Sequence, residues 1–199
     1  MKLRRIELKG FKSIDGRTGQ TIPFGDITVM LGANGSGKSN IVSFFKMLNF
    51  MMTGAFQSYV GRQGVQQLLF YGPRTTESII FSLFFSSEEA DDTYEARLSY
   101  GLPDRLFIGG EKVTYLKKGE TSAQEFFLES GGAEVRLGKD ERKTSRVLFR
   151  ILSGIRAYQF HDTSDTAKIK SRGYVDDAAY LRSDAGNLAA FLKMLKEHS

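Results

Sequence analysis

A glycine-rich loop between an apolar run and a helical pattern constrains the fold of this chain most strongly. The loop, residues 32–39, reads GANGSGKS and satisfies the pattern G-x-x-x-x-G-K-[ST]. Residues 27–31 before it are apolar and largely β-branched, which predicts a strand buried on both faces. After it, apolar residues recur at helical spacing and predict a helix from about 38 to 52. This order of strand, loop and helix predicts an α/β fold.

The glycine-rich loop has the chemistry of a phosphate site. Gly32, Gly35 and Gly37 allow the backbone to point several N–H groups at one anion, and the helix adds the positive end of its dipole. In this pattern the lysine, Lys38, reaches the β- and γ-phosphates and the hydroxyl of Ser39 coordinates Mg²⁺. The sequence therefore predicts a nucleoside triphosphate and Mg²⁺ as cofactors. The alternative is an unusual glycine-rich turn with no ligand.

The rest of the chain predicts a β-rich middle between helical ends. The aliphatic residues Leu3, Ile6 and Leu8 nearly alternate with charged ones and predict an opening strand, and a short strand is predicted at 21–24. Further strands are expected at 78–86, 93–100, 105–107, 113–116, 125–128 and 133–137, the last two forming a hairpin across Gly131 and Gly132. A helix near 141–152, a strand at 155–160 and an amphipathic helix at 187–196 complete the pattern. We expect three regions: 1–75 with the loop and first helix, 76–138 as an antiparallel β insertion, and 139–199.

Composition narrows the function classes. The net charge of +5 and the pI near 9.3 favour a polyanionic partner such as nucleic acid or a nucleotide, although a mildly basic soluble domain has the same composition. Apolar runs are far shorter than the roughly 20 residues of a membrane span, so no membrane association is expected. The first residues alternate charged and aliphatic side chains, unlike a signal peptide, and cysteine is absent. We therefore expect a cytoplasmic protein.

Two segments resemble ABC-type ATPases of the RecF/SMC class. LRRIELKGFKSI at 3–14 and ITVMLGANGSGKSNIV at 27–42 are similar to the opening of that class, and Asn34 and Asn40 are the letters that separate it from most kinases and GTPases. The resemblance implies the N-terminal lobe of an ABC-type P-loop NTPase with a mixed or antiparallel β-sheet insertion. It also implies ATP and Mg²⁺ as cofactors, an ATP-dependent homodimer of the full-length protein, and DNA as a partner.

The resemblance assigns roles to individual residues. The triphosphate site comprises Gly32, Ala33, Asn34, Gly35, Ser36, Gly37, Lys38, Ser39 and Asn40. Lys12 and Ser13 occupy the F-[KR]-S position, which lies near the phosphates in relatives; the alternative is an exposed strand end. Gln159 is the candidate for the glutamine that contacts Mg²⁺ and the attacking water, and so joins Lys38 as a candidate catalytic residue. The alternative is that Gln159 and its neighbour His161 are strand-end polar residues.

Two motifs that this class uses for hydrolysis are missing from the sequence. A Walker B strand ending in Asp-Glu would supply the catalytic base. The loose candidate at 174–177, YVDD, follows a segment that is too polar for a buried strand. Ser130, Gly131 and Gly132 match three letters of the signature motif but fit a hairpin turn better. We therefore expect an N-terminal lobe that binds ATP and is catalytically incomplete. The alternatives are a small-molecule kinase, a GTPase (although no N-K-x-D motif is present), or a non-catalytic nucleotide-sensing module.

Overall fold

The fold was analysed in a computed structural model that describes residues 1–158, 164, 166–170 and 172–198. The chain divides into two compact units, Met1–Ile155 and Arg156–Ser199. The first unit is an α/β structure in which one sheet is covered by helices. Its strands are, in chain order, Lys2–Lys9 (β1), Gln20–Pro23 (β2), Ser78–Ser86 (β3), Ala90–Gly101 (β4), Arg105–Lys117 (β5) and Gln124–Phe127 (β6).

The six strands form a single antiparallel sheet in the order β2-β1-β3-β4-β5-β6. The N-terminal strand β1 therefore pairs directly with β3, although more than sixty residues separate them in sequence. Side chains on β3 and β4 alternate between buried and half-buried, as expected for strands with one face on a core. The antiparallel sheet predicted from the sequence is confirmed.

The first unit has four helices in its described residues, Lys38–Met52 (α1), Phe56–Gln63 (α2), Val65–Leu68 (α3) and Lys143–Ser153 (α4). Helix α1 has the predicted bounds, and it buries Phe44, Met47, Leu48 and Met51 completely. The ring of Phe44 lies 5.2 Å from that of Phe81 on β3 and 5.9 Å from that of Phe11. These edge-to-face contacts connect the helix that follows the glycine-rich loop to the sheet.

The predicted buried strand at 27–31 is wrong. Residues 27–31 form no strand, and Ile27, Val29 and Leu31 are 87%, 73% and 90% exposed, while Met30 packs partly against the core. Of these five residues only Met30 is half-buried. A buried strand needs a neighbour to pair with, and β1 and β2 pair with each other, and β1 with β3, rather than with this segment.

Two other predicted strands are also wrong. Residues 155–158 are not a strand, and the remainder of the 155–160 prediction lies outside the described residues. Residues 133–137 form no hairpin with 125–128. The N–H of Gly131 donates instead to the carbonyl of Ile108 on β5 (2.6 Å), and the carboxylate of Glu111 accepts from the N–H groups of Arg136 and Leu137. The predicted strands at 105–107 and 113–116 are one continuous strand, β5, whose register with β4 shifts once.

The second unit, Arg156–Ser199, contains helix α5 at Leu188–Glu197, which confirms the predicted C-terminal helix. A short 3-10 turn at Lys168–Lys170 precedes it. The side chain of Asn187 is 3% exposed and donates to the carbonyls of Asp177 and Tyr180, both at 2.8 Å. This amide organises the turn before α5. Within the described part of the whole chain, no helix is long and apolar enough to cross a bilayer.

Candidate functional site

The backbone around the start of α1 suits an anion. Gly35 and Gly37 have φ angles of 85° and 92°, which side-chain-bearing residues rarely adopt. Gly37 is the N-cap of α1, and no side chain within the described chain caps this helix. The first N–H groups of a helix have no acceptor in the helix itself, and they carry its positive dipole end. An uncapped, glycine-led helix start is therefore a place for phosphate oxygens.

Lys38 folds back over the glycine-rich loop. Its ammonium donates to the carbonyls of Gly32 (2.5 Å) and Ala33 (2.8 Å) and to the hydroxyl of Ser36 (3.3 Å). These contacts bring the positive charge and the start of α1 to the same concave backbone. Asn34 and Gly35 form the exposed tip of the loop, and Ser39 is exposed in the first turn of α1. The donor set fits a triphosphate, and the hydroxyl of Ser39 fits a hard cation beside it.

A turn after β1 contacts the same helix start. The side-chain amide of Asn40 donates to the hydroxyl of Ser13 (2.6 Å), and the ammonium of Lys12 donates to the hydroxyl of Ser43 (3.1 Å). Lys12 is not an exposed strand end: it is half-buried, and its backbone φ is 53°. Burial, followed by the nearby charge of Lys46, lowers the pKa of Lys12. The turn thus places Ser13 against the first turn of α1 and the ammonium of Lys12 one turn farther along that helix.

The core fixes the position of this turn. Phe11 is fully buried and forms an isolated antiparallel bridge with Leu69 just after α3, and the N–H of Lys12 donates to the carbonyl of Leu68 (2.9 Å). Gly10 has a φ of 74°, and a Cβ there would lie 2.3 Å from the carbonyl oxygen of Ser78. Only glycine fits this approach of the β1 end to β3. The geometry therefore holds the turn with Lys12 and Ser13 against helix α1, where Ser13 meets Asn40 and Lys12 meets Ser43.

Some site predictions lie elsewhere. Gln159 and His161 are outside the described residues, so the role of Gln159 stays a prediction. Residues 174–176 are exposed and Asp177 is half-buried, all outside any helix or strand, and residues 130–132 form a bend rather than a helix start. The sequence reasoning did not identify Ser43, which holds Lys12. Its signal was present, because Ser43 lies on the face of α1 one turn beyond Ser39 and Asn40.

Comparison with known proteins assigns this sequence to a family. The sequence matches the AAA domain family AAA_23 over residues 5–172, which is most of the chain. A 44-residue segment is 57% identical to the chromosome partition protein Smc of Rhodopirellula baltica. That segment covers 22% of this chain and 4% of the relative, so the chain spans a small part of that protein's length.

One solved structure is similar to part of the chain. It is a chain solved in work on the ATP-driven dimerization and DNA-stimulated activation of SMC ATPases, with a TM-score of 0.39 and 25% identity over 60% of this chain and 71% of that chain. The assignment rests on the family match over residues 5–172, with the Smc segment in agreement. The resemblance to RecF/SMC ATPases expected from the sequence is confirmed. The chain belongs to the AAA domain family AAA_23, as an SMC- and RecF-like member of the ABC-type ATPases.

Proposed function

We propose that this chain binds ATP together with Mg²⁺ at the glycine-rich loop. The observation that carries the proposal is the uncapped start of α1 with the ammonium of Lys38 held over the loop carbonyls. The loop residues from Gly32 to Ser39 supply backbone N–H groups to the phosphates. Bound Mg²⁺ would neutralise phosphate charge, and Ser39 is the residue that would hold it.

Lys38 has a defined task in this proposal. In the structure its charge is solvated by two carbonyls and one hydroxyl, which are weaker partners than a phosphate oxygen. Exchange of these partners for the β- and γ-phosphates retains the hydrogen-bond number and adds a charge–charge attraction. Lys12 adds a second positive charge, and the Ser13–Asn40 hydrogen bond keeps its turn against the loop.

Hydrolysis needs groups beyond those that the described residues assemble. We propose that Gln159 contacts Mg²⁺ and the attacking water, as in relatives, and that an acidic base and a signature motif come from another segment or polypeptide. The exposed apolar side chains of Ile27, Val29 and Leu31 support this view, because the described residues leave them uncovered directly before the glycine-rich loop in sequence. A covering segment would bury them next to the triphosphate.

DNA binding and ATP-dependent dimerisation are further parts of the proposal. The net charge of +5 and the kinship with a chromosome partition protein support DNA as a partner. Dimerisation is proposed for a full-length protein, in which two copies close over one nucleotide and the signature motif of one copy completes the site of the other. The cytoplasmic location expected from the sequence stays a prediction.

Titration of a fluorescent ATP analogue with Mg²⁺ tests the central proposal. Lys38→Ala should weaken binding by about 10- to 100-fold, since it removes charge-assisted hydrogen bonds to phosphate. Lys118→Ala is the matched control, because it removes an exposed lysine that is paired with Asp91 on the sheet. Equal affinity of the Lys38→Ala variant, or competition by AMP as strong as by ATP, would contradict a site that reads the β- and γ-phosphates.

Separate measurements test hydrolysis and the partners. Steady ATP turnover by these 199 residues alone, abolished in Lys38→Ala, would show that the chain needs no further groups. Anisotropy of labelled duplex DNA with ATP present should show binding that weakens log-linearly with salt. No binding at low salt would reject DNA as a partner and leave the ATP site intact, and a mass that ATP does not change would reject dimerisation by this chain.

A further inference from the structure

A cavity of about 620 Å³ lies between one end of the sheet and the first turns of α4. Asp92, Tyr115 and Gln124 lie side by side on β4, β5 and β6, since Asp92 pairs with Tyr115 and Tyr115 with Gln124. All three line the cavity. The opposite wall comes from the start of α4 and includes Arg142, Lys143, Thr144 and Val147. The glycine-rich loop contributes no residue to this cavity.

Asp92 carries a carboxylate oxygen with no partner. The residue is 3% exposed, and its Oδ1 is buried and accepts no hydrogen bond from the residues that the structure describes. A buried carboxylate without a donor is costly, and native proteins rarely retain one. The other buried carboxylate of the sheet, Glu111, accepts three hydrogen bonds. The contrast marks Asp92, which lines the cavity, as a carboxylate that the described residues leave unsatisfied.

The charges around Asp92 leave its own charge uncompensated. Asp91, its neighbour on the other face of the sheet, is paired with Lys118 at 2.6 Å. Arg142 is paired with Asp140 at 2.9 Å, and its guanidinium carbon lies 4.8 Å from the ring centre of Phe126. Exposed Glu89 and Lys143 also line the cavity and have opposite charges.

The remaining walls are apolar and select the shape of the ligand. Met1, Ala90, Phe126 and Val147 line the same space. An alkyl chain packs well against such side chains, and an ammonium group at its end would reach Asp92. A divalent cation fits less well, because the described residues hold no cluster of three or more acidic, histidine or cysteine side chains that could bind a metal ion.

We propose that this cavity binds an aliphatic primary ammonium group, with the carboxylate of Asp92 as its acceptor and the apolar walls around its alkyl stem. The group can come from a lysine side chain of a partner protein or from a free amine. Burial, followed by the charge of Asp91, raises the pKa of Asp92 to about 6, so the carboxylate is ionised at about pH 8. The charged and polar groups around this carboxylate are Asp91 beside it on β4 and, in the cavity lining, Glu89, Tyr115, Arg142 and Lys143.

Chemical-shift titrations at about pH 8 test the proposal with three probes. Nα-acetyl-lysine methylamide represents the protein side chain, 1,5-diaminopentane represents a free amine, and Nα-acetyl-norleucine methylamide is the neutral control. At least one amine should bind saturably and shift the amides of β4 and α4, and the tighter amine identifies the source. Asp92→Asn should weaken that binding about tenfold, while Asp91→Asn should leave it unchanged because Asp91 lies on the other face.

Val147→Phe provides a second variant, since it fills the path of the alkyl stem without altering Asp92. It should weaken amine binding and leave ATP binding at the glycine-rich loop unaltered. The proposal is overturned if neither amine binds saturably, if the norleucine probe binds as tightly, or if Asp92→Asn retains the wild-type affinity. The last two results would mean that water alone satisfies Oδ1.

Discussion

The buried carboxylate of Glu111 is expected to be a major source of stability for the first unit. Glu111 is 4% exposed on β5 and accepts hydrogen bonds from the hydroxyl of Tyr94 (2.9 Å) and the backbone N–H groups of Arg136 (2.8 Å) and Leu137 (2.9 Å). Burial raises its pKa, and the hydrogen bonds offset part of that shift. One side chain therefore holds the segment after β6 against the sheet.

The structure gives a magnitude for its removal. Glu111→Ala leaves a buried hydroxyl and two buried N–H groups without their acceptor, at about 1–3 kcal/mol each, but it also removes a buried charge. We expect a net loss of about 3–5 kcal/mol in the free energy of unfolding. Glu111→Gln retains the shape and an oxygen acceptor but turns an amide N–H₂ toward one of the donors, so a loss of about 1–2 kcal/mol is expected.

Urea unfolding followed by circular dichroism measures both losses. Glu125→Ala is the control, because Glu125 is a half-exposed glutamate that pairs with Lys112 at 3.1 Å, and its loss should cost less than about 1 kcal/mol. Hydrogen exchange should accelerate at the amides of Arg136 and Leu137 in Glu111→Ala. A stability equal to that of Glu125→Ala, with unchanged exchange at those amides, would refute the reasoning.

Three further predictions concern other parts of the first unit. Because burial raises the pKa of Asp92 from 3.8 to about 6, the folded state holds this proton longer than the unfolded state. Stability should therefore fall by about 2 kcal/mol as pH rises from about 4 to about 6, and by about 3 kcal/mol in total well above pH 6. Asp92→Asn should remove that slope in urea titrations at each pH. A double-mutant cycle of Ser13→Ala and Asn40→Ala should give a coupling energy of about 0.5–1.5 kcal/mol in unfolding experiments, from their 2.6 Å hydrogen bond. Phe44→Ala should cost about 3–5 kcal/mol, whereas Val29→Ser at the exposed segment should change stability by less than about 0.5 kcal/mol.

A specific outcome would contradict each of these three predictions. Parallel pH profiles of wild type and Asp92→Asn would mean that the carboxylate is solvated. Additive effects of the Ser13 and Asn40 changes would mean that the hydrogen bond does not hold the turn. A large loss in Val29→Ser would indicate that residues 27–31 are buried, as the sequence first predicted.

Local pattern was sufficient where one segment determined its own structure. The apolar period of α1, the alternation in β3 and the amphipathic pattern of α5 each predicted the observed element. The glycine-rich loop was also predictable from sequence, since its conformation depends on its own glycines and on the contact of Lys38 with the nearby carbonyl of Gly32. These features need few contacts from distant residues.

The errors arose where distant contacts decide the structure. Residues 27–31 have the composition of a buried strand, but a strand forms only with a neighbour to pair with. Residues 133–137 alternate like a strand, yet Glu111 accepts their N–H groups in place of a strand ladder. The burial of Asp92 is a further feature that the sequence analysis did not predict. Asp92 lies two residues before buried Tyr94 on β4, so the alternation of that strand was a usable signal.

The most direct test of the account is an NMR titration of the chain with ATP and Mg²⁺. The account predicts that the largest amide shifts occur at Gly35, Gly37, Lys38 and Ser39, at the positive-φ loop and the start of α1. These shifts should be absent with AMP and in Lys38→Ala. The account is contradicted if the amides at these four residues do not move, or if the largest shifts lie elsewhere, such as around the cavity of Asp92.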